Sequence, residues 1–264
     1  MEIWRGKPVK NLTLRLGRIG GRNNFGRLTS YHRGGGHARR YRIVDFHKYF
    51  SSVPAIVRRV EHDPNRNALL SLLLYSNGYM SYSLLPRSVQ IGAVLINYDS
   101  STLTFGNTLF LRQIPIGFYV HSLEMSPGRG GSLVRSGGAK AQILAKTGDL
   151  AILKLPSGEI RKFSVDCKAT IGSVASVPSF YLPDRKAGKS RWLNWRPHVR
   201  GVAMNPIDHP HGGGEGRSSG GRKSSTSPWG VYTKGFPTRN RSKNSSFIVL
   251  GHRLAKLKYR NVKK

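Results

Sequence analysis

Two histidines and two carboxylates fall within eight residues of the segment Asn205-Pro206-Ile207-Asp208-His209-Pro210-His211-Gly212-Gly213-Gly214-Glu215-Gly216-Arg217. Imidazoles and carboxylates are zinc ligands, so Asp208, His209 and His211 could hold a metal. Asp208 could equally orient an imidazole for proton transfer. Either use needs a helix or a strand to aim the side chains. Pro206 and Pro210 stiffen the backbone on one side, and three glycines loosen it on the other. That pattern suits an irregular segment moulded to a partner.

A second stretch points to phosphate chemistry: Arg27-Leu28-Thr29-Ser30-Tyr31-His32-Arg33-Gly34-Gly35-Gly36-His37-Ala38-Arg39-Arg40-Tyr41-Arg42. Three consecutive glycines let the backbone approach a phosphate closely and take positive φ. The arginines supply forked donors for phosphate oxygens, and their planes can stack on bases. Tyr31, His32, His37 and Tyr41 add stacking surfaces suited to unpaired RNA bases. The alternative is a solvated basic loop. Trp192 and Trp195, set between Arg191 and Arg196, could stack on RNA or pack in a core. Ala187-Gly188-Lys189-Ser190 falls short of a nucleotide-hydrolysing phosphate loop, because position 183, where the pattern requires glycine, is Pro183. Cys167 ends an expected strand and reads as a packed thiol.

These residues sit in an uneven charge field. The 264 residues carry 44 Lys+Arg against 12 Asp+Glu, a net charge of +32. So large a charge repels itself in a compact monomer and implies a polyanionic partner. One cysteine excludes an intramolecular disulfide and a cysteine zinc site. No stretch approaches 18 apolar residues, so no membrane span is expected. Residues 1–42 hold 11 basic residues and one acid, and residues 196–264 hold 15 and two, so 23 of the 32 net charges lie in these two segments. A folded centre with two basic arms is the expectation. Residues 3–42 are Arg-rich and acid-poor like a transit peptide, but their glycine motifs read as binding sequence that is retained.

The centre reads as β. Short apolar runs at 41–46, 53–61, 68–75, 79–85, 91–98, 141–146, 150–155 and 160–165 alternate with turn chemistry such as Ser76-Asn77-Gly78 and Pro156-Ser157-Gly158-Glu159. Strands about ten residues apart suggest small barrels or sandwiches. The natural seam lies within 90–115. The late segment is Gly-rich, with Phe247-Ile248-Val249-Leu250 as its one strand candidate, and Arg253 to Lys264 form a basic tail. No helical window exceeds two turns.

Together these residues resemble the universal large-subunit ribosomal protein two family. The segment from Gly201 to Arg217 resembles its signature. Gly21-Arg22-Asn23-Asn24-Phe25-Gly26-Arg27, His32-Arg33-Gly34-Gly35-Gly36-His37, Tyr41 to Phe46, Glu61-His62-Asp63-Pro64-Asn65-Arg66, Gly128 to Ser136, Leu155 to Glu159, Ala187 to Trp192 and Pro228-Trp229-Gly230 look like further family motifs in the same order. The resemblance implies a mainly β protein: an OB-fold barrel followed by an SH3-like barrel, with long basic irregular extensions. The corresponding division is a basic rRNA-binding arm at 1–42, an OB-like RNA-binding domain at 43–115, an SH3-like barrel at 116–195 and a Gly-rich extension at 196–264.

The resemblance further implies a structural constituent of the large ribosomal subunit and not an enzyme. It would bind large-subunit rRNA early in assembly, support the peptidyl transferase centre, touch neighbouring ribosomal proteins and meet the small subunit at a bridge. No membrane and no small-molecule substrate are implied. No cofactor or protein-held metal is implied, with Mg2+ present only through the rRNA. The implied rRNA-binding residues are Arg22, Asn23, Arg27, His32, Arg33, Gly34, Gly35, Gly36, His37, Arg39, Arg40, Arg129, Arg135, Arg191, Trp192, Arg196 and Arg200. Asn205, Asp208, His209, His211, Gly212, Gly213, Gly214, Arg217, Trp229, Lys234, Arg239 and Arg241 complete them. His209 falls where the family has a histidine suspected of assisting peptide transfer.

Ser100 to Asn107 and Phe180 to Asp184 differ in chemistry from the family pattern, and the chain begins about twenty residues later than bacterial relatives. Contacts of that extreme N-terminus are therefore expected to be absent. The short start and the unusual apolar and aromatic content look like a mitochondrial member acting in the matrix, with the bacterial cytoplasm as the alternative. Two other classes stay open: a metal-dependent hydrolase built on Asp208, His209 and His211, and a free-standing RNA chaperone with an OB-like barrel.

Overall fold

A computed structural model describes residues 3–50, 52–97, 103–177, 186–235 and 245–251. The fold is mainly β. It divides into two compact units. The first takes in residues 1–16, 39–183 and 244–264; the second takes in residues 17–38 and 184–243.

The first unit carries the two barrels. Strands β1 (Thr13–Arg15) and β2 (Arg40–Arg42) form a two-stranded antiparallel sheet. Strands β3 (Ala55–His62), β4 (Leu69–Tyr75), β5 (Met80–Leu84) and β6 (Val94–Leu95) form an antiparallel sheet in the order β5-β4-β3-β6. The turn at Ser76 to Gly78 joins β4 to β5, with Gly78 at φ +84°. A positive φ there is what the Asn-Gly pair supplies.

The apolar run in β4 does not alternate because both of its faces are covered. Side chains alternate across a strand. Leu70 and Leu72 pack with Val44, Tyr82, Leu84 and Val174, while Leu69, Leu73 and Tyr75 pack with Val57, Val60, Leu85 and Leu95. Val9 and Leu12, from the start of the chain, lie against the first of these clusters. This sheet is the OB-like barrel.

The SH3-like barrel is a curled seven-stranded sheet. It uses β7 (Thr108–Phe110), β8 (Tyr119–His121), β11 (Ala141–Thr147), β12 (Leu150–Lys154), β13 (Ile160–Ser164), β14 (Lys168–Ile171) and β15 (Ile248–Leu250), in the order β15-β13-β12-β11-β8-β14-β7. The short pair β9 (Leu123–Glu124) and β10 (Gly131–Leu133) flanks it. Its core gathers Leu109, Leu111, Val120, Ile143, Leu153, Phe163 and Ile171. Cys167 is buried in the same core, and burial pushes its thiol pKa up to about 11, so it packs as an ordinary apolar group.

The expected strands at 53–61, 68–75, 79–85, 141–146, 150–155 and 160–165 are present within a residue or two, as is the strand near 247–250. Two expectations shrink. The run at 41–46 is strand only at Arg40–Arg42, after which Val44 makes a single bridge to Tyr82. The run at 91–98 is strand only at Val94–Leu95, because Gly92 at φ +87° turns the chain just before it.

Candidate nucleic-acid interface

The second unit has little regular structure. Among its described residues the helices are single turns, α1 (Lys189–Trp192) and a 3-10 turn at Gly201–Ala203. Its order comes from polar contacts between segments far apart in sequence. Gly21 starts the assembly: its carbonyl accepts the amides of Thr29 and Ser30 at 2.9 and 3.0 Å. A Cβ at Gly21 would stand 2.0 Å from the Ser30 oxygen, so only glycine fits. The Asn23 side-chain oxygen accepts the amides of Phe25 and Arg27, both at 3.0 Å. That turn presents Arg22, Arg27 and Phe25 outward, Phe25 being 81% exposed.

The glycine triplet then lies against the 190s. The amides of Gly34 and His37 donate to the carbonyls of Asn194 and Trp192, and the Arg196 amide donates to the His32 carbonyl. Gly34, Gly35 and Gly36 all have positive φ, and a Cβ at Gly36 would stand 2.9 Å from the Trp192 carbonyl. The Arg33 guanidinium lies 4.2 Å from the Trp195 ring centroid. Trp192 is flanked edge-on by His37 at 5.5 Å and by the Lys186 ammonium at 4.0 Å. Tyr31 and Trp229 are neighbours at 6.4 Å. Both tryptophans at 192 and 195 are therefore exposed platforms for cations and not core residues.

His32 and His198 form a pair that the sequence did not signal. His32 Nδ1 lies 2.7 Å from the Pro197 carbonyl, which can only accept, so Nδ1 carries the proton. Its Nε2 lies 2.6 Å from His198 Nδ1, within hydrogen-bond distance, with either nitrogen able to be the donor. Nothing in the spacing of 32 and 198 foretells this contact.

The glycine-rich signature folds on its own imidazoles. The Asn205 carbonyl accepts the amides of Asp208 and His209, and the His209 carbonyl accepts that of Gly212 at 2.8 Å. His209 is 8% exposed, and its Nδ1 accepts the His211 amide at 3.0 Å. The ring lies under Gly201, where a Cβ would come within 2.4 Å of it. His211 Nδ1 donates to the Gly220 carbonyl, while its Nε2 accepts from the amide and hydroxyl of Thr226 at 2.9 and 3.1 Å. The two rings are stacked with centroids 5.2 Å apart. A Cβ at Gly212 would stand 2.2 Å from the Asn205 oxygen, and Gly213 and Gly214 have positive φ.

Among the described residues no hydrogen bond joins the Asp208 carboxylate to either ring, and no three His, Cys, Asp or Glu side chains converge on a metal-sized point. The neutral His209 ring has its Nδ1 lone pair occupied, so Nε2 carries the proton and can only donate. This geometry suits positioning.

Arg191, Arg200, Arg217 and Lys234 are exposed in this unit. Arg39, Arg40, Arg129 and Arg135 belong to the barrel unit. There Arg135 lies 4.6 Å from the Phe46 ring centroid. Arg239 and Arg241 lie outside the described residues.

The Glu61 to Arg66 motif proves structural. Asp63 is fully buried and pairs with Arg66 at 2.7 Å. The Asn65 amide donates to the Arg40 carbonyl at 2.8 Å, which holds β2. Glu61 accepts from the Tyr82 hydroxyl and pairs with Arg59 at 2.7 Å. Burial, above all, and the Glu61 contact raise the Tyr82 pKa, although the Val9 amide donating to the same oxygen opposes this.

Residues 9–97 match the model of the RNA-binding N-terminal domain of Ribosomal Proteins L2, and residues 104–230 match that of their C-terminal domain. The chain belongs to the ribosomal protein L2 family. Large ribosomal subunit protein uL2 of Rickettsia rickettsii (strain Sheila Smith) is 50% identical over 248 residues, covering 94% of this chain and 90% of that protein. The same protein of Rickettsia canadensis (strain McKiel) and of Rickettsia prowazekii (strain Madrid E) is 49% identical over equal shares. The L2 match spans both barrels except β15 and most of the second unit, including the segments from Gly21 to Trp229 described above.

Proposed function

We propose that this L2 family chain is a structural, non-enzymatic constituent of the large ribosomal subunit that binds its rRNA mainly through the second unit. One observation carries the reading. Motifs at 21–37, 186–196 and 201–229 fold together on backbone and imidazole hydrogen bonds, almost without apolar core, and face arginines and exposed aromatic rings outward. Trp229 is 73% and Ile207 93% exposed. Such a surface lacks the buried area to hold itself in water and gains it against RNA. Phosphate neutralisation supplies affinity, and stacking supplies placement.

The glycine-rich loop around His209 then supports the rRNA of the peptidyl transferase centre. Barrel residues such as Arg129 and Arg135 meet rRNA, neighbouring proteins or the small subunit at a bridge. Mg2+ enters only with the RNA. The setting we favour is the mitochondrial matrix, because of the chain's unusual apolar and aromatic content. The bacterial cytoplasm is the second reading, favoured by the Rickettsia relatives.

The role of His209 is tested by two substitutions. His209→Gln keeps an acceptor for the His211 amide but cannot titrate near neutral pH. Subunits carrying it should assemble and form peptide bonds at close to the parental rate. His209→Ala leaves that part-buried amide without its acceptor and a void beneath Gly201, at a cost of about 1–3 kcal/mol, and should assemble poorly. If fully assembled His209→Gln subunits lost peptide-bond formation by about a hundredfold or more, the loss typical of a missing acid/base group, positioning would be refuted.

A further inference from the structure

A groove in the barrel unit, built from parts of both barrels, is absent from the sequence-derived site. Its volume is about 530 Å3, and His47, Lys48, Tyr49, Phe110 and Lys168 line it. That volume is in the range of small-ligand sites, ~300–1,000 Å3. Among the described residues no carboxylate lines it. We propose that this groove captures one unpaired nucleotide of the large-subunit rRNA, its base stacked on Tyr49 and its phosphate held by Lys168. This inference rests on the rRNA-binding reading above.

The stacking surface is built before any ligand arrives. The Tyr49 and His47 rings stack at 5.2 Å and 22°, and Tyr49 is 75% exposed, so its outer face is open. His47 is backed by Gly130, where a Cβ would stand 3.1 Å from the imidazole. The Asp45 carboxylate accepts the amides of His47 and Lys48 at 3.0 and 2.8 Å, which fixes the turn carrying both rings. Phe110 forms another wall, with the Lys168 ammonium 5.8 Å from its ring centroid.

A buried carboxylate holds these walls together. Glu124, 2% exposed, accepts the amides of Gly130 and Lys168, both at 2.9 Å. The backbone is also strained here. Lys48 and Ser52 take φ of +56° and +61°. Left-handed backbone at non-glycine residues has a cost and clusters at binding sites. A flat exposed ring and a nearby cation fit a ligand with a π face and a negative charge. The groove takes one such unit and no duplex, so the nucleotide it takes is unpaired.

Ultraviolet crosslinking of intact large subunits, followed by digestion and mass spectrometry, tests this. A mononucleotide adduct is expected on the peptide carrying His47 and Tyr49, and it should vanish in Tyr49→Leu subunits while adducts on peptides carrying Phe25 or Trp229 persist. Adducts on those peptides with none at His47 or Tyr49 would overturn the groove alone. No adduct anywhere on the chain would overturn the rRNA-binding reading with it. Affinity of the full chain for purified large-subunit rRNA gives a second readout. Tyr49→Ala should bind about tenfold more weakly, and Tyr49→Phe, which keeps the ring, should match the parent. Equal affinity for all three proteins would count against the proposal.

Discussion

His121 shows how a polar residue is used inside this fold. It lies in β8, 1% exposed, with Nδ1 3.1 Å from the Ser122 hydroxyl and, among the described residues, no hydrogen-bond partner at Nε2. Burial, and then the nearby Lys48 charge, lower its pKa from 6.5 to about 3. The folded chain therefore refuses a proton that the unfolded chain accepts below about pH 6.5. Its contribution to stability is complete above that pH and is lost as pH falls towards 3, at ~1.4 kcal/mol for each unit. From pH 7 to pH 5 the parent should lose about 2 kcal/mol more than His121→Gln in urea unfolding. Parallel pH profiles for the two proteins would show that His121 is protonated, or solvated, in the fold. His121 was not legible as a special residue. Histidine in a short run reads as a surface group, and its burial follows from β8 pairing with β11 and β14.

At the scale of elements, glycine decides which loops can meet. Gly35 and Gly36 both have positive φ, +71° and +79°. A Cβ at Gly35 would find open space, whereas one at Gly36 would strike Trp192 and Asn194. Gly35→Ala meets only the left-handed backbone penalty of roughly 1–2 kcal/mol. Gly36→Ala also breaks the seat of the loop on the 192–196 segment. Trypsin should therefore cut after Arg33 faster in Gly36→Ala than in Gly35→Ala, with mass spectrometry of timed digests as the measure. Equal rates would mean that the loop does not sit on the tryptophan segment.

What the sequence disclosed at this scale follows from what is local. The hairpin at Ser76 to Gly78 and the strands 141–164 were legible because period and turn chemistry lie within ten residues. Strands β7 to β10 were not, since two or three residues carry no period. The expectation for 91–98 was too long because a glycine interrupts the run. The signature loops were legible as family motifs by composition and resemblance, and their RNA contacts stand as a proposal. Their internal bonds, such as His32 to Pro197 or His211 to Thr226, were not, because they join segments without a pattern. The groove at Tyr49 was invisible for the same reason: its rings come from 47–49 and 110, and its cation from 168.

For the whole molecule, charge is the dominant fact. A chain at +32 with exposed arginines and few acids is held compact by a polyanion better than by itself. Membership of the L2 family says which polyanion to expect, and the proposal is that the outward-facing arginines and rings of the second unit meet it. A freely exchanging RNA chaperone and an integral ribosomal component differ most clearly in how they respond to salt. Simple phosphate contacts weaken steeply with ionic strength, by about 0.7–0.9 in log–log slope per contact. A chain moulded into folded RNA by stacking and buried loops is retained. The deciding measurement is sedimentation of ribosomal subunits from the native source through a high-salt gradient, with the chain followed across the fractions. The chain should co-migrate in constant ratio with the large subunit. Its recovery at the top of the gradient, with large subunits otherwise intact, would contradict the account.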